Sequence, residues 1–300
     1  MIQNTKSKIL TDADYDIQSI SSESDSLDWS ILNDSKISAE TASSSLPPSG
    51  IDLQDLAMRV KSRKGSIYHE LRISGENFPP EPSATFASNQ CKNRYRDIPC
   101  LDHSRVRLND ETSDYIHANF MDGYKRTNAY ISAQGPLPET FGDFWQMIWE
   151  QEVVVIVMIT RFEERGKEKC RQYWPLEPGQ SIGFGCFSAQ NVHVEPFEAF
   201  QISHLELLNI ETEESRKVFH FFYKSWPDYD VPKSASSLLD FCAQVNKKQE
   251  SLLEMLSEGT QPPMVVHCSA GIGRTGTFCT MDICISRSVV LWILKRQCDT

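Results

Sequence analysis

The sequence lacks most of the features that would place it outside the cell or in a membrane. Its 9 cysteines are odd in number and no two have CxxC spacing, which argues against a disulfide framework and against a zinc site. The N-terminus, MIQNTKSKILTDADYD, has no apolar stretch of the kind a secretory signal needs. The longest wholly apolar run near the other end, Val289 to Leu294, falls far short of the roughly 20 residues that span a bilayer. Basic residues are outnumbered, 30 Lys and Arg against 41 Asp and Glu, for a net charge of −11. Such a chain is a poor general binder of nucleic acid or of anionic membrane. No internal repeat is visible. The expected compartment is the reducing cell interior, cytoplasmic, with the nucleus open as a second site.

What is there suffices for one sizeable core: 40% of the 300 residues are hydrophobic and 10% aromatic. Residues 1–50 are rich in Ser, Asp and Thr, and stretches such as SSESDSLDWS bury too little to offset ordering entropy. This arm is expected to be disordered. It reads either as a solvated tail or as a phosphorylation or docking segment anchored by Trp29, Ile31 and Leu32. From Ile51 the pattern changes, with Leu53, Leu56 and Val60 at helical spacing and a second short helix over Ser66 to Arg72. Beyond Cys91 the periodicity predicts strands at Tyr130 to Ala133, Val153 to Thr160, Val218 to Tyr223 and Met264 to His267. It predicts helices at Thr140 to Glu150, Ser237 to Val245 and Gln249 to Leu256. The mixture implies an α/β fold, a twisted mixed central β-sheet flanked by helices, within a domain spanning 51–284.

The most informative stretch is His267-Cys268-Ser269-Ala270-Gly271-Ile272-Gly273-Arg274-Thr275-Gly276. It sits between the strand pattern MVVH and a helix starting near Arg274. A strand, a tight glycine-containing loop and a helix N-terminus together form a nest of N–H groups for an anion. Gly271 and Gly273 are expected to let the loop curl so that successive amides point inward. Cys268 and Arg274 can then close around one phosphate. The thiolate is the nucleophilic form of cysteine. The helix end, the loop amides and Arg274 favour it, so Cys268 reads as an exposed, activated nucleophile. Arg274 offers a bidentate fork to two phosphoryl oxygens, which Lys could not. The Thr275 hydroxyl is expected to hydrogen-bond the sulfur and help it leave. A bare C-x5-R would equally suit a buried structural cysteine; the flanking strand and helix decide for the cradle.

Attack by sulfur on an aryl phosphate expels an aryl oxide, which needs a proton from a carboxylic acid on a mobile loop. Trp226-Pro227-Asp228 follows the strand pattern FHFFY, with Trp226 as a hinge anchor. Asp228 is the expected general acid, and general base for the second step. Asp230 is its nearest competitor.

Six motifs then carry a resemblance. Lys92-Asn93-Arg94-Tyr95-Arg96-Asp97, Asp114-Tyr115-Ile116-His117-Ala118-Asn119, Tyr130-Ile131-Ser132-Ala133-Gln134-Gly135-Pro136, Gln172-Tyr173-Trp174-Pro175, the Trp226 loop and the cradle occur in one order. From about residue 60 to about residue 284 the chain resembles the phosphotyrosine-specific protein tyrosine phosphatases of the non-receptor class. The resemblance implies hydrolysis of phosphotyrosine in proteins, with no metal or organic cofactor. Its implied partners are phosphotyrosine-containing proteins, with no nucleic acid and no membrane span. Tyr95 would stack on the substrate ring and make the slot deep. Asp97 would accept N–H bonds from the peptide, and Arg96 would favour acidic flanks. Ile98, Ala270 and Tyr229 would line the slot. Glu164 would orient Arg274, Lys169 would help hold the closed loop, and Tyr173 would hydrogen-bond His267. Glu164 and Lys169 also fit a merely solvated charged loop.

After Cys284 the pattern breaks. The family's water-positioning Gln loop and closing helices have no counterpart in ISRSVVLWILKRQCDT. Residues 285–300 read as a divergent tail, and the whole as a truncated or alternatively ended form of a longer enzyme with its C-terminal helices missing. Val289 to Leu294 could refill the gap or be an exposed aggregation hazard. The rival functional reading is a poorly catalytic phosphotyrosine-binding, substrate-trapping module, or an unstable inactive form.

Overall fold

The computed structural model describes residues 58, 86, 88–227, 231–232, 234–256, 259 and 261–298, with backbone alone from 288 onward. By its contacts the chain divides into Met1–Phe78 and Pro79–Thr300, and all described residues except Met58 lie in the second unit. The expected arm over residues 1–50 and the helices expected within 51–72 lie outside the described residues.

The elements run β1 (Arg105–Arg107), β2 (Tyr115–Gly123), β3 (Arg126–Ala133), α1 (Phe141–Glu150), β4 (Val155–Met158), β5 (Glu163–Glu164) and β6 (Lys167–Glu168). They continue through β7 (Ser181–Phe184), β8 (Phe187–Pro196), β9 (Phe200–Asn209), β10 (Glu214–Tyr223), α2 (Ala235–Leu253), β11 (Met264–His267) and α3 (Gly273–Cys298). Nine strands form one mixed sheet in the order β1-β2-β3-β11-β4-β10-β9-β8-β7. The central four, β3, β11, β4 and β10, are parallel, and the outer strands pair antiparallel. The expected mixed α/β sheet is therefore the observed one.

The continuous apolar run predicted for a doubly covered strand is β4. Its side chains alternate between two cores, as the pleat requires. Ile156 and Met158 pack with α1 residues Phe144, Trp145, Met147 and Ile148. Val155, Val157 and Ile159 face the opposite layer, where α2 contributes Leu238, Phe241 and Val245 and α3 contributes Phe278 and Cys279. β11 divides the same way, Val265 to the first core and Met264 and Val266 to the second.

Several boundaries differ from the sequence reading. The two helices expected within 237–256 are one, α2, because its buried positions Leu238, Phe241, Cys242, Val245 and Gln249 keep a single helical stripe. Ser234 caps it by accepting a hydrogen bond from the Ser237 N–H at 3.3 Å. The antiparallel strands β7, β8 and β9 were not anticipated. α3 continues as helix across 284 and 285, the place at which the sequence reading expects the pattern to break. Among the described residues, no helix is long and apolar enough to cross a membrane.

Phe241 is fully buried, with Tyr223, Phe200 and Phe278 rings 4.9, 5.1 and 5.9 Å away. Phe241→Ala is expected to lower the unfolding free energy by about 3–5 kcal/mol in urea titrations, through lost burial plus a residual cavity.

Candidate active site

The segments that build the site leave the carboxyl ends of the four parallel strands, the usual ligand edge of such a sheet. β3 delivers Gln134 and Gly135, β11 delivers Cys268, β4 delivers Ile159 and Thr160, and β10 delivers Trp226. β11 lies between β3 and β4, so the loop after His267 is flanked on both sides.

That loop is held by its carbonyls. The His267 carbonyl accepts from the Ile159 N–H at 2.9 Å, and the Ser269 carbonyl from the Gly135 N–H at 2.9 Å. The Cys268 carbonyl accepts from His267 Nδ1 at 3.0 Å. The Gly271 carbonyl accepts from Ser132 Oγ at 2.5 Å, and the Ile272 carbonyl from the Gly276 N–H at 2.8 Å. Because C=O and the following N–H oppose each other across a planar peptide, outward carbonyls turn the next amides inward. Gly271 takes φ +80, and a Cβ there would lie 2.5 Å from the Ala133 carbonyl oxygen, so no other residue fits. Gly273, expected to share that role, does not. It opens α3 without a positive φ, in open space.

Arg274, at the start of α3, is clamped by Glu164 in a two-pronged ion pair, Nη1 to Oε1 at 2.7 Å and Nη2 to Oε2 at 2.6 Å. Nη1 also approaches the carbonyls of Ile159 at 3.2 Å and Trp226 at 3.4 Å. Glu164 is thus no solvated loop residue; it is 8% exposed. Two expectations need correction. Cys268 is not exposed but 4% accessible, because the loop wraps it on the central strand. Thr275 does not reach the sulfur: its hydroxyl is fully buried and has no hydrogen-bond partner among the described residues. The first turn of α3 carries it inward but short of any acceptor.

The Lys92–Asp97 segment is tied to the same edge. The Arg94 N–H donates to Gln134 Oε1 at 2.9 Å, and its guanidinium reaches the carbonyls of Gly135 at 2.9 Å and Pro136 at 3.0 Å. Ser269 Oγ donates to the Lys169 carbonyl at 2.8 Å. The Tyr95 hydroxyl, 2.8 Å away, must therefore donate to Ser269. Tyr95 thus stands beside the cradle. Arg96 and Asp97 are exposed and Ile98 is half-buried. A cleft of about 920 Å³ lies alongside, lined by Asp97, Ile98, His117, Ser132, Ala270 and Ile272 among others. It meets the cradle rim but is not lined by Cys268 or Arg274. Lys169 is 6% exposed, with its N–H donating to the Phe162 carbonyl at 2.8 Å. Trp226 is buried, while Asp228, Tyr229 and Asp230 lie outside the described residues.

Behind the cradle, Tyr173 Oη lies 2.6 Å from both His267 Nε2 and His220 Nε2. His267 Nδ1 faces a carbonyl, which only accepts, so it carries the proton. Neutral Nε2 then accepts from Tyr173, whose oxygen accepts from His220. The Tyr173–His267 contact was expected; His220 was not. Burial pushes His267 down to about 4 and His220 well below the usual histidine range. Burial also raises the thiols of Cys170, Cys242 and Cys279 to about 12, so these stay protonated at neutral pH. Ser132, Gly135 and Arg94 are further site residues missed from sequence; the β3–β11 register brings the first two to the cradle, and hydrogen bonds to Gln134, Gly135 and Pro136 bring Arg94.

Residues 89–289 match the protein-tyrosine phosphatase family. The chain belongs to that family. It is 49% identical over 256 residues to the rat tyrosine-protein phosphatase non-receptor type 9, and 48% to the human one. Each match covers 80% of this chain but 42% of the relative, so the chain spans less than half the length of those phosphatases. The rat receptor-type tyrosine-protein phosphatase F is 39% identical over 249 residues, covering 80% of this chain and 12% of that one. The solved structure of PTPN18 in complex with HER2 phosphopeptides superposes with a TM-score of 0.64 at 33% identity, covering 73% of this chain and 80% of that one. As a phosphatase-family fold, the mixed sheet carries its cradle at the central strand.

A neutral His267 and His220 in the fold imply acid sensitivity. The unfolded chain takes up these protons near pH 6.5 and the folded chain only at lower pH, so stability falls as pH drops from about 6.5 towards 4. Each histidine adds up to about 1.4 kcal/mol per pH unit. Urea titrations between pH 7 and pH 4.5 are expected to show this fall, with a shallower slope in His220→Gln.

Proposed function

We propose that this chain hydrolyses phosphotyrosine in proteins through a cysteinyl-phosphate intermediate. The observation that carries the reading is the loop from Cys268 to Arg274, whose carbonyls are pinned outward while Glu164 fixes the guanidinium at its end. Inward amides and a planar fork suit a phosphoryl group with its charge spread over equatorial oxygens.

In the first step the Cys268 thiolate attacks phosphorus, the P–O bond to the tyrosine ring breaks, and Asp228 gives its proton to the leaving oxygen. In the second, Asp228 takes a proton from water, which attacks phosphorus, and the P–S bond breaks to return the thiolate and release inorganic phosphate. Arg274 and the loop amides hold the phosphoryl oxygens through both steps. Tyr95, held by Ser269, would flank the ring. Asp97 and Arg96, both exposed, would meet the peptide on either side. Peptide-borne phosphotyrosine is supported by the phosphopeptide complex of PTPN18. We assign the chain to the non-receptor class; type 20 is the finer placement proposed, on the resemblance of its motifs.

Turnover of p-nitrophenyl phosphate and of a phosphotyrosine peptide tests the proposal. Cys268→Ser is expected to abolish both, and equal rates in the two proteins would end the case for catalysis. A burst equal to enzyme concentration followed by a stall would mean that the chain traps its substrate instead. Asp228→Ala is expected to lower kcat by about 10²–10⁴-fold with little change in KM. The same loss in Asp230→Ala alone would move the acid to Asp230. Arg274→Lys, losing the fork, is expected to lower kcat/KM by about 10²–10³-fold.

A further inference from the structure

Most carbonyls of the cradle are held by backbone N–H groups or by the adjacent His267. One is held by a side chain from another strand. Ser132 Oγ donates to the Gly271 carbonyl at 2.5 Å. Ser132 sits on β3 opposite Val266 of β11, in the parallel register that places Ala133 opposite His267. Gly271 approaches that strand so closely that an added Cβ would lie 2.5 Å from the Ala133 carbonyl oxygen and 2.7 Å from its carbon. Without the Ser132 hydroxyl the Gly271 carbonyl would lose this hydrogen bond, and the Gly271–Ile272 peptide, next to a glycine at φ +80, has an easy flip available.

We infer that Ser132 is a positioning residue for phosphate recognition: its hydroxyl fixes the Gly271–Ile272 peptide so that the Ile272 N–H faces the cradle. The inference rests on the phosphatase reading of the site. The carbonyl of Gly271 and the N–H of Ile272 belong to one plane and oppose each other. Pinning the first on β3 therefore aims the second away from β3. The backbone bonds at the Ser269 and Ile272 carbonyls fix the Ser269–Ala270 and Ile272–Gly273 peptides, and neither acts on the Gly271–Ile272 peptide. Ser132 touches no reacting atom. It acts only through the loop, and it also lines the neighbouring cleft, where water can compete for its hydroxyl.

The test compares the full chain with Ser132→Ala and Ser132→Thr, the latter keeping the hydroxyl. Tungstate, an oxyanion mimic, is titrated against each while backbone amide shifts are followed by NMR, and the thermal midpoint is measured in parallel. In the unaltered protein the Ile272 amide is expected to shift strongly on binding. In Ser132→Ala that shift should shrink while the Ala270 shift persists, affinity should fall about tenfold, and KM for p-nitrophenyl phosphate should rise with it. Ser132→Thr should restore all three. An Ala variant that binds tungstate as tightly as the original, with the same Ile272 shift, overturns the positioning role and leaves the phosphatase reading intact. Loss of affinity only in proportion to unfolded protein also overturns it. If the unaltered protein binds no oxyanion, the reading of the cradle fails first and the inference falls with it.

Discussion

The site depends on which way the peptide planes face between His267 and Ile272. A loop of six residues has as many carbonyls as amides, and an anion tolerates only the amides. The fold solves this by placing β11 between two parallel neighbours and letting their ends collect the carbonyls. Ile159 beyond β4 takes one, Gly135 and Ser132 from the β3 side take two, and the first turn of α3 takes another. The anion nest is therefore a product of sheet topology. Nothing within the loop except Gly271 and the His267 side chain would impose it.

Under the proposed function, the same dependence explains how an acidic protein would recognise a dianion. A net charge of −11 opposes phosphate at long range, but exposed charges beyond about 8 Å are largely screened at physiological salt. Within the cradle the partial charges of several aligned N–H groups act at contact distance, in surroundings sealed by buried Cys268, Ser269 and Thr275. Fixed dipoles need no reorganisation when charge builds up during a reaction. Global charge thus sets how fast an anion arrives, while local geometry sets whether it is held.

Much of this was legible in the sequence because it is local. The strand MVVH, the glycine loop and the following helix are contiguous, and the apolar run of β4 announces a strand covered on both faces. Tyr173 and Glu164 could be named only through the resemblance, since nothing in their own surroundings marks them. The misses share one physical cause. β8 and β9 carry Gln190, Val192, Glu206 and Leu208 on exposed positions, so polar and apolar residues mix on their outer face and blur the alternation. Ser132 and Gly135 depend on a parallel register between segments more than 130 positions apart, which composition and periodicity do not encode. Gly273 was misjudged for the opposite reason: a glycine in a loop motif looks like a conformational need, yet only Gly271 meets a backbone that would clash with a side chain.

The Glu164–Arg274 pair bears on the same question. Both side chains are about nine-tenths buried, and their forked contact cancels one unit charge against the other. A buried pair of this kind adds little stability once desolvation is counted, so its effect is to fix the plane of the guanidinium. With the fork neutralised at its outer edge, Arg274 contributes direction more than net charge. Under the proposed function, the burden of holding a doubly charged group then shifts to the amides. That makes the outward carbonyls, and the few groups that hold them there, the elements on which recognition turns.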